Sequence, residues 1–339
     1  MNIFFPPEWY PQSGVQIAFP HADTDWYDIL DEAIECYVSF SKEILKREKL
    51  LIFCADIDAV KKHFSQEEQK NLLVAEMDTN DTWTRDYGAI SVFINGKPTI
   101  IDFGFNAWGL KFSADFDNQT TGKLIEKNVF RPEVAYCNHL NFILEGGSIE
   151  SDGKGTILTT TKCLTAPNRN QPMDKTDIEV YLKKTLGANR VLWLNYGYLA
   201  GDDTDSHVDT LARFCDSTTI AYVKCDDESD EHFGELRKME QQLRSFVNFE
   251  GKPYTLIDLP MADAVFSDGY RLPATYANFL IINGAVLMPT YQSPKDEIAK
   301  VQLQKAFPNR EIIGINCLPL IKQHGSLHCV TMQFPEGFI

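Results

Sequence analysis

Five stretches of the chain share one pattern, in which apolar residues recur at roughly helical spacing and a short strand-like run follows. The clearest stretch covers residues 29–45, and LLIFCA follows it. Weaker versions lie at 120–127 before VAYC, at 175–186 before RVLWLN, at 230–247 before PYTLIDL and at 294–306 before REIIGIN. The pattern predicts five units in which a helix precedes a strand.

Further runs are rich in β-branched and aromatic residues, which fit the pleated surface of a sheet, and turn-forming Gly, Asn or Asp separate them. They are AISVFI with TIIDFG, GTILTT, TTIAYV, FLII with AVLMP, and HCVTMQF. Strands and helices together predict five mixed α/β modules. No long linker or low-complexity tract divides the chain, so we expect one domain covering 1–339. An ordinary α/β sheet with irregular insertions is the alternative fold.

The composition is that of a globular protein, with 44% hydrophobic and 24% charged residues among 339. The start, MNIFFPPEWYPQ, lacks the regions of a signal peptide, and no apolar run is long enough to cross a bilayer. We therefore expect a cytoplasmic protein that binds no membrane. In that reducing compartment the eight cysteines are expected to be free, buried thiols.

The net charge of -16 opposes binding to nucleic acid, because neutralising phosphates requires clustered Lys and Arg. A cationic small molecule is the favoured partner, although solubility alone also explains an acidic chain. The sequence leaves the oligomeric state open, with a homodimer as one option.

Polar clusters follow the helix and strand of each predicted module. In chain order they are NDTWTRDYG, LEGGS, GDDTDSHVD, ATYANF and HGSLHC. Loops held by a rigid scaffold are where catalytic groups usually lie. We therefore expect the five clusters to converge on one site.

Cys329 is the candidate nucleophile, because small residues precede it and an apolar strand-like run follows it. Most free cysteines are inert core residues, so the thiol alone is weak evidence. A thiolate needs a base or cation and a proton shuttle, normally a histidine distant in sequence. His207 is the candidate shuttle. In an extended DSHVDT segment, His207 and Asp209 would share one face.

Paired carboxylates are the second feature of interest, because two carboxylates together hold a planar guanidinium group best. Asp86 and Asp209 are the candidates for that clamp. Glu145 is the candidate partner of His207, and the two glycines after it permit close backbone approach. Each acid taken alone is more often a cap or turn residue.

The chain resembles the agmatine deiminase and bacterial peptidylarginine deiminase family over nearly its whole length. The family belongs to the guanidine-modifying pentein superfamily, whose fold is a five-bladed α/β propeller. The motifs that carry the resemblance are PPEW, AFPH, NDTWTRDYG, DFGFNAWG, LEGGSIESDGKGT, CLTAPNRN, HVDTLARF and LHCVTMQFP.

The resemblance implies that Cys329 attacks the guanidinium carbon and that His207 acts as general acid and then base. It also implies that Asp86 and Asp209 hold the guanidinium, that Glu145 supports His207, and that no metal or organic cofactor is required. Trp83 and Trp108 are candidates to pack along the substrate, and Asn278 is a candidate to orient it.

Several positions depart from the family pattern, which usually reads GGGNIHC, AWGG and GGSIH. Here these motifs read QHGSLHC, AWGLK and GGSIE. The residues that differ are Gln323, His324, Ser326, Leu110 and Glu150. The resemblance implies agmatine as the first substrate, with a role in putrescine biosynthesis, and peptidylarginine as the second.

Other classes of function find less support in the sequence. GDDTDSHVD lacks the Gly and Glu of an EF-hand, and neither CxxC pairs nor HExxH occur for zinc. A Walker A loop, GxGxxG and GxSxG are also absent. A non-catalytic interaction scaffold built from repeats is the remaining alternative, and it predicts that Cys329 lies far from His207.

Overall fold

A computed structural model describes residues 2–339 of the chain, which adopt a mixed α/β fold. The strands in chain order are β1 (Ile3–Phe4), β2 (Gln12–Ala18), β3 (Lys49–Cys54), β4 (Leu72–Glu76), β5 (Ile90–Ile94), β6 (Lys97–Gly104), β7 (Ala135–Ile143), β8 (Ile149–Ser151), β9 (Thr156–Thr160), β10 (Arg190–Leu194), β11 (Ala212–Asp216), β12 (Thr219–Lys224), β13 (Thr255–Pro260), β14 (Phe266–Ser267), β15 (Tyr270–Arg271), β16 (Leu280–Ile282), β17 (Ala285–Thr290), β18 (Glu311–Asn316) and β19 (Met332–Pro335).

The helical segments vary from one turn to more than four turns. The α-helical segments are α1 (Leu30–Leu45), α2 (Ile57–Lys61), α3 (Thr84–Tyr87), α4 (Ala107–Leu110), α5 (Thr120–Glu126), α6 (Thr161–Leu164), α7 (Lys175–Leu186), α8 (Phe233–Ser245), α9 (Lys295–Ala306) and α10 (Leu318–Ile321). Short 3-10 helices lie at Tyr27–Ile29, Glu68–Asn71, Asp117–Gln119, Gly146–Ser148 and Val208–Thr210.

Five sheets of three or four strands repeat one pairing pattern. Their strand orders are β19-β2-β3-β4, β1-β5-β6-β7, β8-β9-β10, β11-β12-β13 and β16-β17-β18. In each sheet an antiparallel pair adjoins a parallel pair, and a helix connects the two parallel strands. The connecting helices are α1, α5, α7, α8 and α9. The five predicted helix-and-strand units are confirmed, and β14 and β15 form a separate two-stranded ribbon.

Helix α1 illustrates why these segments form helices. Its buried residues include Ala33, Tyr37, Phe40 and Ile44, three or four positions apart, so they form one apolar stripe against the sheet. Fully burying a large apolar side chain stabilises the fold by about 1.5–3 kcal/mol. Helix α7 begins with a capping box at Asp174, which satisfies backbone N–H groups of the first turn.

The strand predicted for HCVTMQF begins later than expected. Cys329 lies in a turn over 327–330, and β19 begins only at Met332. The backbone groups before β19 bond to loops instead of a neighbouring strand, since the Cys329 carbonyl accepts from Arg85 N–H at 3.1 Å. The predicted strand over HCVTMQF was therefore wrong for its first four residues, whereas the position of Cys329 in a loop just before a strand is confirmed.

The expectation of an extended segment at 207–209 was also wrong. Val208–Thr210 is a 3-10 helix, in which the Leu211 N–H bonds to the Val208 carbonyl at 3.0 Å. His207 and Asp209 still reach the same site, because the tight turn aims both inward and both are fully buried.

No helix within residues 2–339 has the length and apolar character needed to cross a membrane.

Candidate active site

The five polar clusters predicted from the sequence meet at one site. Each lies in a loop or short helix next to the strands of its module, so the sheets hold the side chains in place. The predicted residues are Trp83 and Asp86 at α3, Trp108 in α4, Glu145 before Gly146–Ser148, His207 and Asp209 around Val208–Thr210, Asn278 before β16, and Cys329 before β19.

Gly147 marks the point where three of these side chains converge. A Cβ at this position would lie 2.7 Å from His207 Nδ1, 2.8 Å from Asp86 Oδ1 and 3.0 Å from Asp209 Oδ2. A side chain does not fit within such distances, so glycine lets the three groups close around its backbone. The expected close approach after Glu145 is confirmed.

His207 is fully buried between two carboxylates. Its Nε2 is 3.0 Å from Glu145 Oε2, and its Nδ1 is 3.6 Å from Asp86 Oδ1 without a hydrogen-bond partner in residues 2–339. Burial opposes a charge on the ring, but Asp86 and Glu145 raise the pKa of His207 well above its usual value. These neighbours favour the protonated ring, and Nδ1 is the ring nitrogen that has no hydrogen-bond partner within the described residues.

Arg169 holds Glu145 from the other side. Its Nε donates to Glu145 Oε1 at 3.0 Å and its Nη2 donates to Oε2 at 3.1 Å. The same guanidinium binds Asp205 Oδ2 and the Thr204 carbonyl, just before His207 in the chain. Burial opposes ionisation, but His207 and Arg169 lower the pKa of Glu145. Arg169 therefore keeps Glu145 ionised as the acceptor for His207.

Asp86 is held by two hydrogen bonds from the protein. Its Oδ1 accepts from the Gly147 N–H at 2.9 Å, and its Oδ2 accepts from Trp108 Nε1 at 2.9 Å. Burial raises the pKa of Asp86 to about 6, although His207 acts in the opposite direction. The carboxylate is therefore mostly ionised at neutral pH and protonates under mildly acidic conditions.

Asp209 has one engaged oxygen and one free oxygen. Oδ2 accepts from His328 Nδ1 at 2.7 Å and lies 3.9 Å from Cys329 Sγ. Oδ1 is buried and has no hydrogen-bond partner among residues 2–339. Burial opposes ionisation, but His328 lowers the pKa of Asp209. An unpartnered buried carboxylate oxygen costs free energy, so a ligand that donates to it is favoured.

Cys329 lies against the amide of Asn278. Asn278 Nδ2 is 3.3 Å from Cys329 Sγ, and its Oδ1 accepts from the backbone N–H of His328 at 2.8 Å. Burial raises the pKa of the Cys329 thiol well above its usual value, and the Asp209 and Asp86 carboxylates add to this effect. The thiol therefore needs a cation beside it to ionise. Asn278 contacts the candidate nucleophile and does not line the pocket.

A pocket of about 190 Å³ leads to Cys329. Within residues 2–339, four carboxylates and three aromatic rings line it, and no Lys or Arg does. The carboxylates belong to Asp25, Asp81, Asp86 and Asp203. The aromatic rings belong to Trp83, Trp108 and Phe112. The pocket therefore suits a small, elongated cation.

The two predicted tryptophans both line this pocket. Trp83 packs against the backbone at Gly325, where a Cβ would lie 2.1 Å from the ring. Trp108 adopts a left-handed backbone conformation with φ 56°, which is uncommon outside glycine. Its indole N–H bonds to Asp86, so Trp108 also orients that carboxylate.

The positions that depart from the family pattern fall into two groups. Gln323 and His324 line the pocket, whereas Leu110 is exposed outside it. Ser326 is buried and bonds to the Tyr291 hydroxyl at 3.0 Å.

Glu150 also lies away from the pocket wall. Its carboxylate is fully enclosed and pairs with Arg213. Burial raises the pKa of Glu150 to about 7, with Arg213 opposing this shift. Glu150, which departs from the GGSIH pattern of the family, therefore lies in the protein interior below the site.

Five residues at the site were not predicted. They are Arg169, His328, Asp25, Asp81 and Asp203. Arg169 lies in the CLTAPNRN motif and His328 in LHC, so the motifs contained a signal for these two residues. Asp81 and Asp203 lie in the predicted clusters NDTWTRDYG and GDDTDSHVD, so these clusters contained a signal as well, whereas Asp25 lies outside all five clusters.

Two buried groups of three side chains have the composition of a metal site. They are Glu145 with Cys163 and His207, and Glu8 with Glu150 and His328. A guanidinium already bonds to the carboxylates of each group, from Arg169 in the first and from Arg213 in the second. The groups are therefore organised by cations of the chain itself.

A thiol, an imidazole and paired carboxylates lie together at one acidic pocket. This arrangement is expected of a guanidine-modifying enzyme. The model of the Porphyromonas-type peptidyl-arginine deiminase family matches residues 4–335. The chain belongs to this family, and it is a hydrolase that acts on carbon–nitrogen bonds. The scaffold alternative was wrong, since it predicted no convergence of Cys329 with His207.

Solved structures agree with this family over the whole chain. A putative arginine deiminase from Porphyromonas gingivalis is 52% identical, with a TM-score of 0.97 and 100% of both chains covered. An agmatine deiminase from C. jejuni, a cysteine-to-serine variant with substrate bound, is 39% identical, with a TM-score of 0.92 and coverage of 99% of this chain and 97% of that one.

A sequence relative agrees as well. A putative agmatine deiminase from Marinomonas sp. is 32% identical over 352 residues, covering 98% of this chain and 94% of the relative. The more distant DDAH from Pseudomonas aeruginosa is 12% identical with a TM-score of 0.54, over 96% of this chain and all of that one. This last likeness concerns the mixed α/β fold alone.

Proposed function

We propose that the protein hydrolyses agmatine to N-carbamoylputrescine and ammonia through a covalent intermediate on Cys329. The observation that carries the proposal is the meeting of the Cys329 thiol with His207 and two carboxylates at a pocket lined by acids. Such a pocket stabilises a guanidinium at one end and an ammonium at the other.

The first half of the reaction forms the carbon–sulfur bond. A guanidinium bound by Asp86 and Asp209 neutralises the two carboxylates that raise the pKa of the Cys329 thiol. The Cys329 thiol then loses its proton to solvent, and the thiolate attacks the guanidinium carbon. The carbon–nitrogen bond breaks as the His207 imidazolium donates a proton to the departing ammonia. An S-alkylthiouronium remains on Cys329.

The second half of the reaction returns the enzyme to its starting state. His207, now neutral and held by Glu145, takes a proton from a water that attacks the same carbon. The carbon–sulfur bond breaks, and the ureido product leaves with the water oxygen after its hydroxyl proton passes to solvent. The released thiolate takes a proton back from solvent once the product has gone. Asn278 Nδ2 lies 3.3 Å from Cys329 Sγ and stabilises the thiolate that is released.

The carboxylates that line the pocket besides Asp86 favour agmatine over free arginine. Asp25, Asp81 and Asp203 suit an ammonium and repel an α-carboxylate. A volume of about 190 Å³ also lies below the range of about 300–1,000 Å³ typical of drug-sized ligands. A four-carbon diamine arm therefore fits the observed wall better than a large ligand.

Peptidylarginine is the second candidate substrate. Leu110 and Phe112 are 69% and 52% exposed, and Phe112 lines the mouth of the pocket. Exposed apolar side chains at a mouth are suited to contact a peptide backbone on either side of an arginine. The family model carries the same activity in its description.

A substrate panel tests the proposed function. Agmatine, free arginine and arginyl peptides are incubated with the protein, and ammonia and ureido product are both measured. We expect agmatine to give the largest kcat/KM, with equal amounts of the two products. A larger kcat/KM for an arginyl peptide would select the second candidate, and no turnover of any guanidinium compound would reject both.

Further proposals accompany this function. Residues 1–339 act as one catalytic domain, and the five modules close into a five-bladed α/β propeller. Support comes from the common pairing pattern and from the antiparallel pairing of β19 with β2, which joins the two ends of the chain. The enzyme works in the cytoplasm, requires no cofactor and contributes to putrescine biosynthesis. It forms a homodimer, which light scattering would detect.

A further inference from the structure

His328, beside the candidate nucleophile, lies between two carboxylates that the mechanism above leaves unexplained. Its Nδ1 is 2.7 Å from Asp209 Oδ2, and its Nε2 is 2.7 Å from Glu8 Oε2. The side chains of His328, Asp209 and Glu8 are 1%, 0% and 6% exposed. Both ring nitrogens therefore contact an acid where water is excluded.

The positions of the protons follow from these distances. Two lone pairs do not approach to 2.7 Å, so each contact contains a proton. Burial opposes ionisation of Asp209, but the contact with His328 lowers its pKa, which favours the carboxylate as the acceptor of this bond. His328 Nδ1 therefore carries the proton of that contact, although burial and Arg213 lower the pKa of His328.

Glu8 belongs to PPEW, a motif to which the reaction gives no role. Its Oε1 accepts from the Ile281 N–H at 2.6 Å, and its Oε2 accepts from Arg213 at 2.5 Å. Arg213 is fully buried and also bonds to Glu150 and to the Phe279 carbonyl. The carboxylate that meets His328 Nε2 is therefore fixed by several donors.

We propose that His328 is a positioning residue, held by Glu8, that fixes Asp209 Oδ2 and so aims Asp209 Oδ1 at the substrate guanidinium. The proposal rests on the proposed function and adds the means by which one half of the clamp is oriented. Asp86 needs no such device, because Gly147 and Trp108 already hold both of its oxygens.

A pair of substitutions separates positioning from packing. The amide of His328→Asn replaces Nδ1 and still donates to Asp209, whereas the longer amide of His328→Gln reaches toward Glu8. Both variants retain a polar group of similar size. The matched control is His232→Asn, because His232 is also buried and bonds to Asp230 at 2.6 Å but does not contact the pocket.

The readouts are kcat, calculated per mole of folded protein, and KM for agmatine. We expect His328→Gln to lower kcat/KM by about 10²-fold, mainly through a higher KM, because misplacing a binding group by about 1 Å costs that much. His328→Asn should recover about tenfold of this loss, and His232→Asn should stay within about twofold of wild type.

Equal kcat/KM for His328→Gln and His328→Asn, per mole of folded protein, would overturn the positioning role. The wild-type protein provides a second test if the variants fail to fold. With ¹⁵N-labelled histidine, the Nδ1 of His328 should carry a proton at both about pH 6 and about pH 8, because its acceptor is ionised. An unprotonated Nδ1 would contradict the proposal.

Failure of the proposed function gives a different result from failure of this inference. A wild-type protein that turns over no guanidinium compound rejects the function, whatever the His328 variants do. An active wild type whose two His328 variants do not differ rejects only the positioning role.

Discussion

Buried polar groups on the two sides of Asp209 differ in whether they have hydrogen-bond partners. On the pocket side, Asp209 Oδ1 and His207 Nδ1 are buried and have no partner among residues 2–339. On the other side lies the floor cluster, defined as Glu8, Glu150, Arg213 and His328. Every side-chain nitrogen and oxygen buried in the floor cluster has a partner within the described residues.

The two buried histidines show what this difference means. His207 has one free nitrogen and a raised pKa, which suits transfer of a proton. His328 has both nitrogens engaged, so its ring is fixed. Unpaired buried groups cost stability, and proteins retain them where a ligand satisfies them. The pocket side is therefore built for reaction, and the floor cluster is built for rigidity.

Removing the nucleophile is the strongest way to test the pocket side. Cys329→Ala should abolish formation of the ureido product, a loss of at least about 10⁴-fold in kcat, because the covalent path has no other nucleophile. The measurement is ammonia and ureido product from agmatine. Cys54→Ala, at a buried core thiol, is the control and should retain activity. Ammonia release by Cys329→Ala would refute the assignment.

Neutralising one half of the clamp should have the next largest effect. Asp86→Asn keeps the shape of the side chain but leaves the bound guanidinium without one charge. We expect a loss of about 150- to 5,000-fold in kcat/KM, which corresponds to the roughly 3–5 kcal/mol cost of breaking a buried ion pair. Steady-state kinetics should show a higher KM and a lower kcat. Kinetics equal to wild type would show that Asp86 does not bind the substrate.

The floor cluster should respond in stability, unlike the pocket side. Arg213→Met keeps an apolar stem and leaves Glu8 and Glu150 without their cation. The free energy of unfolding should fall by about 3–5 kcal/mol, because two buried carboxylates lose their partner. Urea unfolding followed by circular dichroism measures this change. If Asp86→Asn destabilised the protein as much as Arg213→Met, the contrast between the two sides would be lost.

The acid limb of the pH profile gives a smaller and reversible effect. Asp86 must be ionised to bind the guanidinium, and burial raises its pKa to about 6. As the pH falls below this value the carboxyl protonates, and kcat/KM should fall by about tenfold per pH unit. A profile of kcat/KM against pH tests this expectation. A profile that stays flat as the pH falls through this value would contradict it.

Trp108→Phe should change the acid limb of the pH profile, and this is the smallest of the predicted effects. The substitution removes the indole N–H that stabilises the Asp86 carboxylate. The limb should move to higher pH, and kcat/KM at acidic pH should fall by about two- to tenfold, the worth of one hydrogen bond. An acid limb that moved to lower pH would show that the bond does not stabilise the ionised form.

Sequence patterns predicted the scaffold well because they report local physics. The spacing of Ala33, Tyr37 and Ile44 predicted α1, since only one face of that helix is buried. Strand propensity did not locate the turn at Cys329, because its backbone groups bond to Arg85 and to the Asn278 side chain, which are distant in sequence.

Some residues of the candidate site were predicted from the sequence and others were missed, for a related reason. Cys329, His207 and Asp86 were found because the motifs suggest chemistry that needs those residue types. Arg169 and His328 were missed because the sequence does not show which buried charges meet. Their partners are many positions away, and only the fold brings them together.

The central claim is that Cys329 forms a bond to the guanidinium carbon. Acid quenching of the reaction with saturating agmatine, followed by mass spectrometry of the Cys329 peptide, tests it most directly. We predict a fraction of peptide heavier by agmatine less ammonia, with the modification on Cys329 and none on Cys163. Continued release of ammonia with Cys329 unmodified, or with the added mass on Cys163, would contradict the account.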